Sequence, residues 1–239
     1  MLAWPTTAAD LILEQEDLAR ARQELWGLPS GRRATVAGCF ICFARGEADG
    51  PGQKGDRGWA GAALVRGERL LASAAVAGEA GAAYEPGLLA LREGPLLEEA
   101  VRRLPQPPEC LLVNATGRDH PRRAGLALHL GAILDLPTVG VTHRTLLAQG
   151  AWPRDEREET SPLLHDDEVV GYWLRTRRGM RPLAVHAGWR TDPETAVRLV
   201  AETVAHVRTP EPLRQARRVA REARATPLEC AGEATFGCA

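Results

Sequence analysis

Between residues 86 and 141 the chain alternates between helical and strand periodicity, and this restricts the fold more than any other feature. After Pro86-Gly87, residues 88–103 read as a helix, 110–113 as a short apolar strand, 121–134 as a second helix and 138–141 as a second strand. Two strands joined through a helix lie parallel when they share a sheet, so 110–113 and 138–141 are expected to be parallel neighbours.

Strand-like runs at 35–43, 58–65 and 69–76 precede this unit, the last two divided by the turn Arg66-Gly67-Glu68. They predict an antiparallel meander, with the Gly-rich and charged segment 45–57 as a mobile hairpin loop. Residues 8–25 predict an amphipathic helix ending before Gly27 and Pro29. Downstream, 146–166 is polar and irregular, 168–176 and 181–186 form a strand pair across Arg177-Arg178-Gly179, and helices are expected at 193–207 and 211–225. The fold class is therefore α/β: three layers, a mixed sheet of an antiparallel meander plus parallel strands, and helices on both faces. Residues 1–225 are expected to form one domain, and 226–239, small and polar, a disordered tail.

A length of 239 residues suits that single large domain. The net charge of −1 argues against a strongly basic nucleic-acid binder, so any polyanion site must be local. No apolar run approaches the roughly 18–20 residues of a membrane span, and the first residues lack signal-peptide character. A cytoplasmic protein without membrane partners is expected. The five cysteines, Cys39, Cys42, Cys110, Cys230 and Cys238, are odd in number and scattered, which argues against a disulfide framework. Cys39 and Cys42 have C-x-x-C spacing but sit in an apolar run, where buried strand cysteines are the simpler reading than a redox or zinc pair. Lys54 is the only lysine among 30 basic residues, a bias that reads as genomic background.

In an open α/β sheet, ligands collect at the carboxyl ends of the strands. Those ends carry Phe40 and Cys42, then Asn114-Ala115-Thr116-Gly117, then His186-Ala187-Gly188-Trp189-Arg190. The run from Leu111-Leu-Val-Asn114 through Asp119-His120-Pro121-Arg122-Arg123 to Gly140-Val141 resembles the centre of endonuclease V, as do Ala37-Gly38-Cys39-Phe40, Tyr84-Glu85-Pro86-Gly87 and Gly188-Trp189-Arg190. The resemblance spans about residues 34–222. It implies a ribonuclease-H-like fold and, in the family, cleavage of deoxyinosine-containing DNA or inosine-containing RNA with Mg²⁺ held by carboxylates.

Position by position, the first family Asp falls on Phe40, the Glu on Glu93, the second Asp on Asn114, the late His on Trp189, and a lysine near His143. No Asp or Glu occurs between Arg33 and Arg45 or between Leu111 and Arg118, so no local shift of register restores the missing ligands. Mg²⁺ relies on carboxylates, and one Glu with one amide makes a weak site. No cofactor is therefore expected, Mg²⁺ binding being weak or absent, and no residue is assigned as a metal ligand.

By the same resemblance Tyr84 and Pro86 form a wedge beside the lesion, although Glu85 brings a negative charge to it, and backbone at Gly117 and Gly140 lines the base pocket. Arg122 and Arg123 read either as an anion site at the start of a helix or as surface pairs, with His120 beside them. Strand alternation puts Phe40 and Cys42 on one face, which the family geometry turns toward Glu93, Asn114 and Trp189. Cys42 with His186 or His120 would make a thiol–imidazole pair, and Phe40 with Trp189 an aromatic pocket for a small planar ligand. Arg214, Arg217, Arg218 and Arg221 share a face of the last helix, either as a solvated surface or as a nucleic-acid stripe.

Three readings stay open. One is a nuclease scaffold whose metal site is dismantled, retained for weak nucleic-acid or ligand binding. The second is a working nuclease with ligands drawn from Glu93, Asp119 or Asp192. The third is a small-molecule enzyme that uses Glu93, Cys42 or a histidine.

Overall fold

A computed structural model describes residues 3–44 and 52–226. Residues 45–51, the first part of the expected mobile loop, and 227–239, the expected disordered tail, lie outside the described residues.

The meander forms as its alternation predicts: β1 (Thr35–Phe43) pairs antiparallel with β2 (Arg57–Arg66), and β2 with β3 (Arg69–Glu79). Helix α2 (Leu89–Arg102) crosses over to β4 (Cys110–Val113), parallel to β1, and α3 (Leu126–Leu134) crosses to β5 (Thr138–Thr142), parallel to β4. Strands β6 (Thr160–His165), β7 (Glu168–Leu174) and β8 (Leu183–Ala187) are antiparallel additions, giving one sheet of eight strands in the order β3-β2-β1-β4-β5-β8-β7-β6. This is the ribonuclease-H-like mixed sheet, with an antiparallel hairpin and one further strand added at its far edge.

Alternation along β1 and β4 divides the core between two faces. Ala37, Cys39, Leu111 and Val113 pack with α2 and α3, whereas Val36, Cys110 and Leu112 pack with α4 (Pro193–Glu202) and α5 (Glu211–Ala225). Glycines permit the closest approach on the α5 side. A Cβ at Gly38 would strike the backbone of Pro212, and one at Gly61 that of Ala216 and Ala220.

Tertiary contacts override local signals at four places. Helix α1 (Ala8–Arg20), capped by Thr7, ends before the expected residue 25, because the following chain runs out to hydrogen-bond with the segment after β8: Trp26 N–H donates to the Arg190 carbonyl and Arg190 Nε to that of Glu24. Pro121 does not begin α3; Arg123 has a positive φ of 55° in a turn closed on His120, and Gly125 takes the N-cap position. The supposedly irregular segment 146–166 contains β6, an edge strand whose Pro162 disguises it. Residues 52–56, expected to be mobile, are tied down where Ala80 exchanges backbone bonds with Gly55 and Asp56 and where Arg92 donates to Gln53 and Asp56. No described helix is long and apolar enough to cross a membrane.

Candidate functional site

Two hollows meet at Asn114, where β4 ends. The larger, about 220 Å³, lies between the turn Tyr84-Glu85-Pro86-Gly87, Gln15 of α1, residues 114–116 and His120. Gly87 holds the turn with φ +81°, and its carbonyl receives three donors: Gln15 Nε2 at 3.2 Å, His120 Nε2 at 3.1 Å and Arg122 Nη2 at 2.9 Å. Arg122 Nε also donates to Gln15 Oε1 at 2.6 Å. Because the Arg122 N–H donates to His120 Nδ1, the imidazole proton sits on Nε2. Burial, only partly offset by the Gly87 carbonyl, pulls His120 down to about 4, so it is neutral at pH 7. Tyr84, half exposed at the rim, has an open ring face suited to stacking on a base.

The smaller hollow, about 30 Å³, lies under α5 and is lined by Phe40, Asn114, Thr142, His143 and Arg217 among others. The Arg217 guanidinium sits 5.4 Å from the centre of the Phe40 ring, and Cys42 Sγ lies 3.6 Å from the Ala220 carbonyl. Asn114 Nδ2 donates to the Val141 carbonyl at 3.0 Å. His143 sits at the surface and titrates below its ordinary value, through partial loss of water around its ring and the nearby charges of Arg208 and Arg217.

Several expected placements are corrected here. Phe40 and Cys42 do share a face, but α5 covers it; Glu93 rides on α2 across the sheet, where its charge bears on Cys39. Burial pushes the Glu93 carboxyl up to about 7 against the opposing pull of Arg92. The thiol–imidazole pair does not form: His186 faces away from α5, its Nε2 3.0 Å from Thr142 Oγ1 and its Nδ1 3.8 Å from Asp119, and His120 is committed to Gly87.

Trp189 is also misplaced by the strand-end reasoning. Strand β8 runs antiparallel to β5, so its carboxyl end lies at the opposite edge of the sheet from those of β1 and β4. There Trp189 is buried with Leu18, Ala124 and Leu128, its backbone bonded to Thr138 at the start of β5, and it shares no pocket with Phe40.

Arg122 and Arg123 do not front a helix. Arg122 serves Gly87 and Gln15, and Arg123 donates to the His165 carbonyl at 2.6 Å and pairs with Asp166 at 3.2 Å. Gly117 is a crossing point, where a Cβ would strike the Ala187 carbonyl, and it is absent from both linings. On α5, Arg214 pairs with Glu211 and Arg218 with Glu222, while Arg217 turns inward.

Sequence reasoning missed Gln15 and Arg92. Gln15 lies on the apolar face of α1 between Leu11 and Leu18, a polar residue in a buried stripe, which was the available signal. Arg92 is buried, ion-paired to Asp56 at 2.8 Å and stacked 4.1 Å from the Phe43 ring. No cluster of three or more His, Cys, Asp or Glu suited to a metal exists among the described residues.

Residues 30–218 match the family model for Endonuclease V. Endonuclease V of Methanopyrus kandleri is 47% identical over 133 residues, 56% of this chain and 57% of its own length. That of Thermus thermophilus is 43% identical over 155 residues, 64% of this chain and 69% of its own length. The chain thus spans little more than half the length of the first of these curated relatives. Among solved structures, Endonuclease V of Streptomyces avermitilis superposes with a TM-score of 0.81 at 32% identity, covering 93% of this chain and 95% of that one. The human protein superposes at 0.76 and 30% identity, with 91% and 98% covered.

Proposed function

The chain belongs to the endonuclease V family, and from that premise we propose that it binds nucleic acid carrying a deaminated purine without performing the family's Mg²⁺-dependent cleavage. The carrying observation is the contrast at Asn114: the pocket on the wedge side is open and internally braced, while the positions where carboxylates would hold metal carry Phe40 and Asn114.

The donor set does not fit a divalent cation. Phe40 has no ligating atom and lies under a guanidinium, and Asn114 offers one neutral oxygen while its amide nitrogen is spent on Val141. Glu93 is the lone retained carboxylate, and its burial favours the protonated form. Substitute ligands find no support. Asp119 is fully buried and accepts the N–H groups of Leu146, Leu147 and Ala148, and Asp192 caps α4. Where metal supplies several kcal/mol of transition-state stabilisation, its loss slows cleavage by about 10³-fold or more.

What remains is recognition. The 220 Å³ pocket has room for one base, Tyr84 presents a stacking face, and neutral His120 with Arg122 fixes the wedge. The test is incubation with deoxyinosine DNA and inosine RNA in Mg²⁺ and in Mn²⁺, beside an electrophoretic binding assay. Retention of these substrates without strand cleavage is expected. Metal-dependent cleavage that Glu93→Gln abolishes would overturn the reading, and absence of both binding and cleavage would shift it to a small planar ligand in the same pocket.

A further inference from the structure

The hollow under α5 is lined by basic side chains. Arg217 lines it, and the buried Nε of that guanidinium has no hydrogen-bond partner. No carboxylate lines the hollow, and among the described residues neither Arg217 nor Arg221 makes an ion pair, in contrast to Arg214 and Arg218 on the same helix. His143 shares the lining, and Arg208, which donates to the carbonyls of Arg181 and Pro182, adds a further charge close enough to bear on it. The N–H of Arg217 is one of several buried polar atoms without a protein partner, and it differs from the others in lying on a guanidinium that lines a hollow, where it is free to donate to an incoming acceptor.

We propose that this hollow is a phosphate site that works without a divalent ion, Arg217 donating to the phosphate oxygens and His143 flanking it. A guanidinium suits that role because its fork matches a tetrahedral oxyanion. At about 30 Å³ the hollow admits phosphate oxygens but not a nucleoside, a water needing about 10–15 Å³ on the same scale. The phosphate therefore dips in from the surface while the rest of its carrier stays outside. The ring of Phe40 supplies the floor: it offers the guanidinium a π face and no competing charge. A site that would attract cations in the presence of two carboxylates is, with Phe40 and Asn114, an anion site.

The inference deepens the proposed function only in giving nucleic acid a phosphate contact beside the base pocket. Its test uses inorganic phosphate as the probe, in EDTA, by titration calorimetry and by NMR of the His143 imidazole. Phosphate is expected to bind and to raise the His143 pKa. Arg217→Ala is expected to weaken binding by about tenfold or more, Arg217→Lys to retain part of it, and Phe40→Asp to abolish it by giving Arg217 an internal carboxylate. Arg218→Ala, whose side chain already pairs with Glu222, should bind as the parent does.

Absence of any phosphate-induced shift at His143 in the unaltered protein would overturn the proposal without reliance on a variant. So would equal affinity of the parent, Arg217→Ala and Phe40→Asp. Phosphate binding without retention of deoxyinosine DNA leaves this site standing and removes the proposed function. DNA retention that neither phosphate nor Arg217→Ala disturbs removes this site and leaves the function.

Discussion

On the α2 side of Asn114, the Gly87 carbonyl draws in three side-chain donors; on the α5 side, Arg217 rests on a phenyl ring with a buried N–H unmet. The first hollow is held by hydrogen bonds between side chains and backbone, so its residue identities are fixed by one another. The second is held by shape: Gly38 and Gly61 let α5 touch the sheet, and the side chains at 40 and 114 are not needed to keep it there. That difference explains how positions 40 and 114 can carry a phenyl ring and an amide while the fold is intact. Replacing Gln15, His120 or Arg122 breaks a network, whereas the side chain at position 40 alters only what the hollow attracts.

The packing of α5 on the sheet answers most strongly to added bulk at Gly38. Gly38→Val should cost about 4 kcal/mol, as overpacking against an unyielding backbone does at its severe end, and lower the denaturant midpoint accordingly. An unchanged midpoint would mean that α5 is not held by close approach.

Acid should strain the hydrogen-bonded side next. His120 is pulled down to about 4 from an ordinary value near 6.5, so the unfolded chain binds more protons between those limits. Its contribution is complete above pH 6.5 and is lost as pH falls toward 4, by up to about 3 kcal/mol. Denaturant unfolding at pH 7 and pH 4.5 should register that loss, and His120→Gln should remove its share of the dependence while leaving that of His129 and His186, which burial pulls down likewise.

Arg122→Ala, which removes donors to both Gln15 and Gly87, should destabilise the chain by about 2 kcal/mol. It should also weaken retention of a deoxyinosine oligonucleotide while leaving inorganic phosphate binding unchanged. Loss of phosphate binding in this variant would mean that the two hollows are not separate.

The smallest effect separates them electrostatically. For single-stranded DNA, Arg217→Ala should reduce the slope of log affinity against log salt by about 0.7, the share of one phosphate contact. Arg122→Ala should leave that slope alone, because its guanidinium serves a carbonyl and an amide.

The strand-forming runs at 35–43 and 110–113 and the helix at 211–225 were legible to the residue, because their periodicity is local and their ends are punctuated. Alternation also put Phe40 and Cys42 on one face correctly. Which helix covers that face is decided by the crossovers, and period two carries no information about them. The β7–β8 hairpin was likewise legible, but the edge that receives Trp189 depends on β5 pairing with β8, a contact more than 40 residues apart in sequence (Val139 with Ala187). Ion pairing along α5 was beyond period alone: Glu211 and Glu222 neutralise Arg214 and Arg218, and the sequence marks Arg217 as different only through its place beside Leu213 and Ala220.

The packing of α5 on β1 and β2 has a temporal side. Strand β1 and its hairpin partner can pair as soon as residue 66 is available, but their covering helix begins at Glu211 and is separated from them by the rest of the sheet. During synthesis this face of the meander stays wet until late, and the hollow under α5 is among the last parts of the molecule to exist. A ligand held there would act as a clasp on the completed chain. It would show as slowed hydrogen exchange at β1 and β2 amides, far from any group it touches in sequence.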